Sequence, residues 1–143
     1  MIVNRKVGAL FRMGDAFLNR ELEATGLTSG SAYLVLELAA GGTLNLTELS
    51  RRVGVDRAHS TRMARLLEEG GFIHRTTDPD DGRGTLLSLS AKGRHAAAAV
   101  EKAMLAWVAL ITEGVAPEDL AATGRSFDRF YENAVAAQSP SAR

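Results

Sequence analysis

The chain has 143 residues, 17 basic against 17 acidic for a formal net charge of zero, 45% hydrophobic and 24% charged residues, and no cysteine. These values suit one compact globular domain with a core of its own, and they leave no disulfide framework and no thiol-based oxidation switch. No apolar run approaches the length of a membrane span, and the start Met1-Ile2-Val3-Asn4-Arg5-Lys6 lacks the apolar stretch of a signal peptide, so no membrane partner and a cytoplasmic location are expected.

Val3, Val7, Leu10, Phe11, Gly14, Phe17 and Leu18 recur at helical spacing, which predicts a first helix over 2–24 with a stop near Thr25-Gly26. Thr28 or Ser29 starts a second helix through Tyr33, Leu34, Val35 and Leu38, ended by Gly41-Gly42. Leu46, Leu49 and Val53 then mark a short third helix in which small Ser50 leaves room for a close neighbour and Gly54 makes a sharp stop. Thr47 is expected to cap this helix. Asp56 caps the next one, 57–69, with Ser60, Met63, Ala64 and Leu67 inward and Arg57, Ala58, Thr61, Arg62 and Arg65 outward.

A strand is predicted over 71–76, then an Asp/Gly-rich loop, then a second strand over 85–89. Ser90 caps a long alanine-rich helix that carries Val100, Met104, Trp107, Val108 and Ile111 to Gly114. Pro117 opens the last helix, with Phe127, Phe130, Tyr131 and Ala134 along one face. The fold class is therefore mainly α with a small β-hairpin wing, an α+β winged helix-turn-helix. It is divided into a helical dimerisation region, 1–26 and 91–143, and a DNA-binding region, 27–90, within one compact domain. Terminal helices with so many large apolar residues need a cover, and a second copy of the chain is the natural one.

Two helices joined by so tight a turn present the second to a major groove of double-stranded DNA. Zero net charge argues against a nucleic-acid partner, but the local count argues for one. Residues 47–66 hold five arginines, at 51, 52, 57, 62 and 65, against Glu48 and Asp56, a surplus of three positive charges. Phosphate attraction follows the local field, because salt screens charges beyond about 8 to 10 Å. Arg51 and Arg52 are assigned to phosphates, and Arg57, Ala58, His59, Thr61 and Arg62 to base edges or nearby backbone. Arg83, between two glycines at the hairpin tip, suits a narrow minor groove.

Residues 49–55, Thr61-Arg62, Leu67-Glu68-Glu69 and Gly71-Phe72-Ile73-His74-Arg75 resemble the MarR family of bacterial transcription regulators. So do Asp78-Pro79-Asp80-Asp81-Gly82-Arg83 and Leu87-Ser88-Leu89-Ser90-Ala91-Lys92-Gly93, and the resemblance spans 46–93. It implies a homodimer with interlocked terminal helices, two winged domains on a pseudopalindromic operator, and often a small-molecule pocket between the two parts. It also implies that Asp81 pairs with Arg83 or Arg75 and aims the wing. The chain departs from the family at Gly82, where a second wing arginine is common, and at Ser60, where an apolar residue is usual.

The function expected is sequence-specific transcription regulation, as a homodimeric repressor released by a small aromatic or lipophilic effector. Phe11, Phe17, Tyr33 and Trp107 are candidates for an effector pocket, and equally for plain core. The alternative is a winged-helix module that contacts proteins only. Asp78, Asp80 and Asp81 read as turn formers rather than a metal cluster, and His59, His74 and His95 fall on three different elements. With no nucleophile, base and orienting group at a recognisable spacing and no phosphate-cradling glycine loop, no catalytic residue, metal or cofactor is expected.

Overall fold

The computed structural model describes residues 2–80, 82 and 84–138. Six helices and three short strands follow in the order α1 (Ile2–Glu21), a 3-10 turn (Glu23–Thr25), α2 (Ser29–Gly41), β1 (Thr43–Asn45), α3 (Leu46–Val53), α4 (Arg57–Glu69), β2 (Ile73–Thr77), β3 (Thr85–Leu89), α5 (Ala91–Ile111) and α6 (Pro117–Gln138). No described helix is long and apolar enough to cross a membrane. The chain divides into two compact units, Met1–Trp107 and Val108–Arg143.

In the first unit the ends of the helices are written in local chemistry. Thr28 and Ser31 form a reciprocal capping box at the start of α2, with the Thr28 amide donating to Ser31 Oγ at 3.0 Å. The Asn45 side chain accepts the Glu48 amide at 2.8 Å and so caps α3. This corrects the expectation for Thr47. The helix begins two residues earlier than the threonine would set it, at Leu46, so Thr47 lies inside the first turn and its hydroxyl is free for another partner.

Leu18, Leu22, Leu34, Val35, Leu38, Leu49, Leu67, Leu87 and Val100 are almost fully buried and bring α1 to α5 and the sheet onto one core. The strands lie in the order β1-β3-β2, all antiparallel, with Leu44 opposite Leu87 and Ile73 opposite Leu89. The sequence reading expected a two-stranded hairpin; β1 turns it into a three-stranded sheet. β2 also starts two residues later than expected, because Gly71 takes a left-handed φ of 74° that belongs to the turn after α4. Beyond that turn α5 comes very close. A Cβ on Gly93 would collide with the Phe72 carbonyl oxygen, so only glycine fits there.

The second unit contains the last turn of α5 and all of α6. Leu110, Phe127, Phe130, Tyr131 and Val135 are exposed on it, and the Phe127 and Phe130 rings meet edge-on with centroids 5.9 Å apart. Large apolar side chains left in water at this density mark an interaction surface.

Candidate nucleic-acid interface

The junction of α3 and α4 is three residues, Gly54, Val55 and Asp56. Gly54 has φ 75°, a left-handed conformation that costs a glycine little, and its amide donates to Ser50 O at 2.9 Å. The buried Ser50 turns its hydroxyl back to Leu46 O at 2.7 Å, so its own polar group is satisfied close to the turn. Asp56 accepts the His59 amide at 2.7 Å and caps α4, as the sequence implied. Ser60, Ala64 and Leu67 face the core, and Arg57, Ala58, Thr61, Arg62 and Arg65 face solvent. Ser60 Oγ is buried with no hydrogen-bond partner among the described residues.

The arginines differ in what they touch. Arg51 puts Nε and Nη2 on the two oxygens of Glu48, at 2.9 and 2.7 Å, while Arg52 Nε donates to the same carboxylate at 2.8 Å and its Nη1 stands 4.0 Å from Glu37. Hydrogen bonds from Arg51 and then Arg52 hold the Glu48 carboxyl at about 2, against an ordinary 4.5. Arg65 donates to Glu69 at 2.7 Å, a contact that raises the guanidinium's own pKa.

Arg57 and Arg62 alone among the arginines of α3 and α4 have no carboxylate partner within the described residues. Arg57 donates to Thr47 Oγ1 at 3.2 Å, and Arg62 Nη2 lies 3.3 Å from His59 Nδ1. His59 is half-buried because α2 approaches there: a Cβ on Gly30 would sit 3.7 Å from its Nε2. Thr61 donates its hydroxyl proton to Arg57 O at 2.7 Å, which leaves its methyl and oxygen lone pairs for a ligand.

A recess of about 500 Å³ separates this helix from the hairpin, lined by Thr47, Arg57, Thr61, Arg75, Asp78 and Thr85 among others. The Asp78 amide donates to Gly84 O at 2.9 Å and closes the loop, and Asp78 Oδ1 accepts the Asp80 amide at 2.9 Å. These aspartates behave as turn formers. Arg83 and Asp81 lie outside the described residues. Arg75, assigned to aiming the wing, donates to Glu68 at 3.0 Å across seven residues of chain. No spacing rule on one element pointed to that pair. The Glu48 pairs, at i,i+3 and i,i+4, were within reach of the sequence but were not read from it.

Of the four pocket candidates, Phe17 and Trp107 come together with centroids 5.5 Å apart, Arg20 stands over the Phe17 ring at 5.1 Å, and the indole lies against α1 beside Gly14. Tyr33 is half-buried on α2; burial, then the Asp15 charge, raise its phenol pKa. Phe11 is 60% exposed and meets none of the other three rings.

The family model described as the MarR family matches residues 27–85. The HTH-type transcriptional regulator BilQ of Clostridioides difficile is 27% identical over 81 residues, which are 57% of this chain and 55% of that protein. The multiple antibiotic resistance protein MarR of Salmonella typhimurium is 30% identical over 79 residues, 55% of either chain. The chain thus spans about half the length of the curated relatives it matches. In structure it resembles a MarR transcriptional regulator from Methanosarcina mazei, with TM-score 0.90 at 20% identity over 96% of this chain and 99% of that one. It also resembles a mutant MarR from E. coli complexed with operator DNA, with TM-score 0.82 at 19% identity over 91% and 94%. At these identities the likeness is one of fold.

Proposed function

Because residues 27–85 match the family model described as the MarR family, we propose that the chain is a sequence-specific transcription regulator of that kind that binds duplex DNA as a homodimer. The observation that carries this reading is the pair Arg57 and Arg62. Both lie on the exposed face of a helix set at a glycine turn, and neither is neutralised by a carboxylate among the described residues. Exposed guanidinium groups on a helix that fits a major groove suit bidentate contact with guanine. Arg51 and Arg52 serve phosphates, Ala58, His59 and Thr61 complete the reading face, and Arg83 is assigned to the minor groove, with Asp81 pairing with Arg83 or Arg75.

Residues 1–26 and 91–143 form the dimerisation region, with a second copy covering the exposed Leu110, Phe127, Phe130 and Tyr131. The dimer acts as a repressor in the cytoplasm. A small aromatic or lipophilic effector near Phe17, Trp107 and Tyr33 releases it, and linkage requires that DNA weaken the effector by the same factor. The test is selection of duplexes from a random pool by the purified chain, with light scattering for its mass. Near-palindromic sites with half-site centres about 10 to 11 base pairs apart support the proposal. A monomer that enriches no motif, and whose binding ignores salt, is a protein-interaction module instead.

A further inference from the structure

We infer that Glu48 is an electrostatic brake on this face: it ties up Arg51 and Arg52 and so sets how strongly the protein holds DNA phosphates, whatever their sequence. The inference rests on the DNA-binding reading and deepens it by naming a residue that determines the balance between phosphate attraction and base reading.

One carboxylate receives three N–H donors from two arginines, all between 2.7 and 2.9 Å. On Arg51 the arrangement is a two-pronged fork, the same geometry a phosphate would use. A phosphate arriving at Arg51 or Arg52 must therefore displace a partner already seated. Among the described residues, Arg57 and Arg62 have only a hydroxyl and an imidazole to leave.

The difference bears on specificity. Non-specific affinity is almost wholly phosphate attraction, whereas specific affinity adds base contacts. A carboxylate that holds back the two arginines of α3, while leaving those of α4 open, lowers the first contribution and spares the second. The carboxyl keeps its charge to about pH 2, so acidity in any working range does not release the brake. Glu48 is a positioning residue acting through the arginines.

The experiment is a salt titration of binding to a duplex of random sequence, by fluorescence anisotropy, for the parent, Glu48→Gln, and Glu48→Gln combined with Arg51→Gln and Arg52→Gln. Helix content by circular dichroism is checked for each. Glu48→Gln should bind roughly tenfold tighter at about 50 mM salt, and its dependence of log affinity on log salt should steepen by about one to two, near 0.9 per phosphate gained. Against the Arg51→Gln, Arg52→Gln double variant titrated beside it, the triple variant should show no such gain. Unchanged slope and affinity in Glu48→Gln, or weaker binding because the carboxylate in fact aims the arginines at DNA, overturns the inference. A gain that persists without Arg51 and Arg52 overturns it too, as it would come from net charge alone. A parent that binds no duplex at any salt sinks the DNA-binding reading itself, a result distinct from all of these.

Discussion

Arg75, on the first strand of the hairpin, donates through Nε to Glu68 at 3.0 Å and so ties the hairpin to the last turn of α4. The pair brings the strand that leads into the wing loop into register with the helix that carries Arg57 and Arg62. Both side chains are more than a third exposed, so the contact contributes little to stability, on the order of 1 kcal/mol or less.

Glu68→Gln should accordingly leave the urea midpoint nearly unchanged while altering the hairpin. Its effect is expected in backbone amide shifts of residues 73–77 and in weaker operator binding. A variant that loses several kcal/mol of stability, or one whose β2 amides do not move, contradicts this account of the pair.

Ser60 offers a stability test with the opposite sign. Its hydroxyl is buried without a partner, and such a group costs about 1 to 3 kcal/mol relative to an apolar one of similar shape. Ser60→Ala should therefore hold or raise the free energy of unfolding, by about 1 kcal/mol. A loss of that size in urea denaturation would mean that the hydroxyl is hydrogen-bonded in solution.

Acid should reveal Glu48. A carboxyl held below its ordinary value in the folded chain stabilises the fold above that ordinary value, and the contribution is lost as pH falls through the folded one. For Glu48 the window runs from about 4.5 down to about 2. NMR titration of its side-chain carboxyl should give a midpoint well under 4.5, and Arg51→Gln, which removes the largest cause, should move it up. An ordinary midpoint in the parent would dissolve the fork between Glu48 and the two arginines.

Elements whose determinants are local were legible in the sequence. α4 runs from Arg57 to Glu69 as the spacing implied, because Asp56 caps one end and glycine closes the other. β3 came out at Thr85–Leu89 for a similar reason, as a short apolar run beyond a stretch dense in turn formers. β1 did not. Three residues show no period, and what makes Thr43–Asn45 a strand is pairing with β3 more than forty residues away. The cap of α3 was misplaced by the same omission, since the extended Asn45 that ends β1 is also the residue that starts the helix. At the candidate interface the charges were countable but their partners were not. Nothing in the count of five arginines showed that Glu48 and Glu69 engage three of them.

The central claim is that Arg57 and Arg62 read DNA, and its most direct test is the affinity of the duplex selected by the parent for Arg57→Ala, Arg62→Ala and Arg65→Ala. Arg57→Ala and Arg62→Ala should each lose about 1 to 3 kcal/mol and accept altered bases at defined positions. Arg65→Ala, whose guanidinium is engaged by Glu69, should lose less and keep the parent's sequence preference. If Arg57→Ala and Arg62→Ala hold the selected duplex as tightly and as selectively as the parent, the face of α4 does not read DNA.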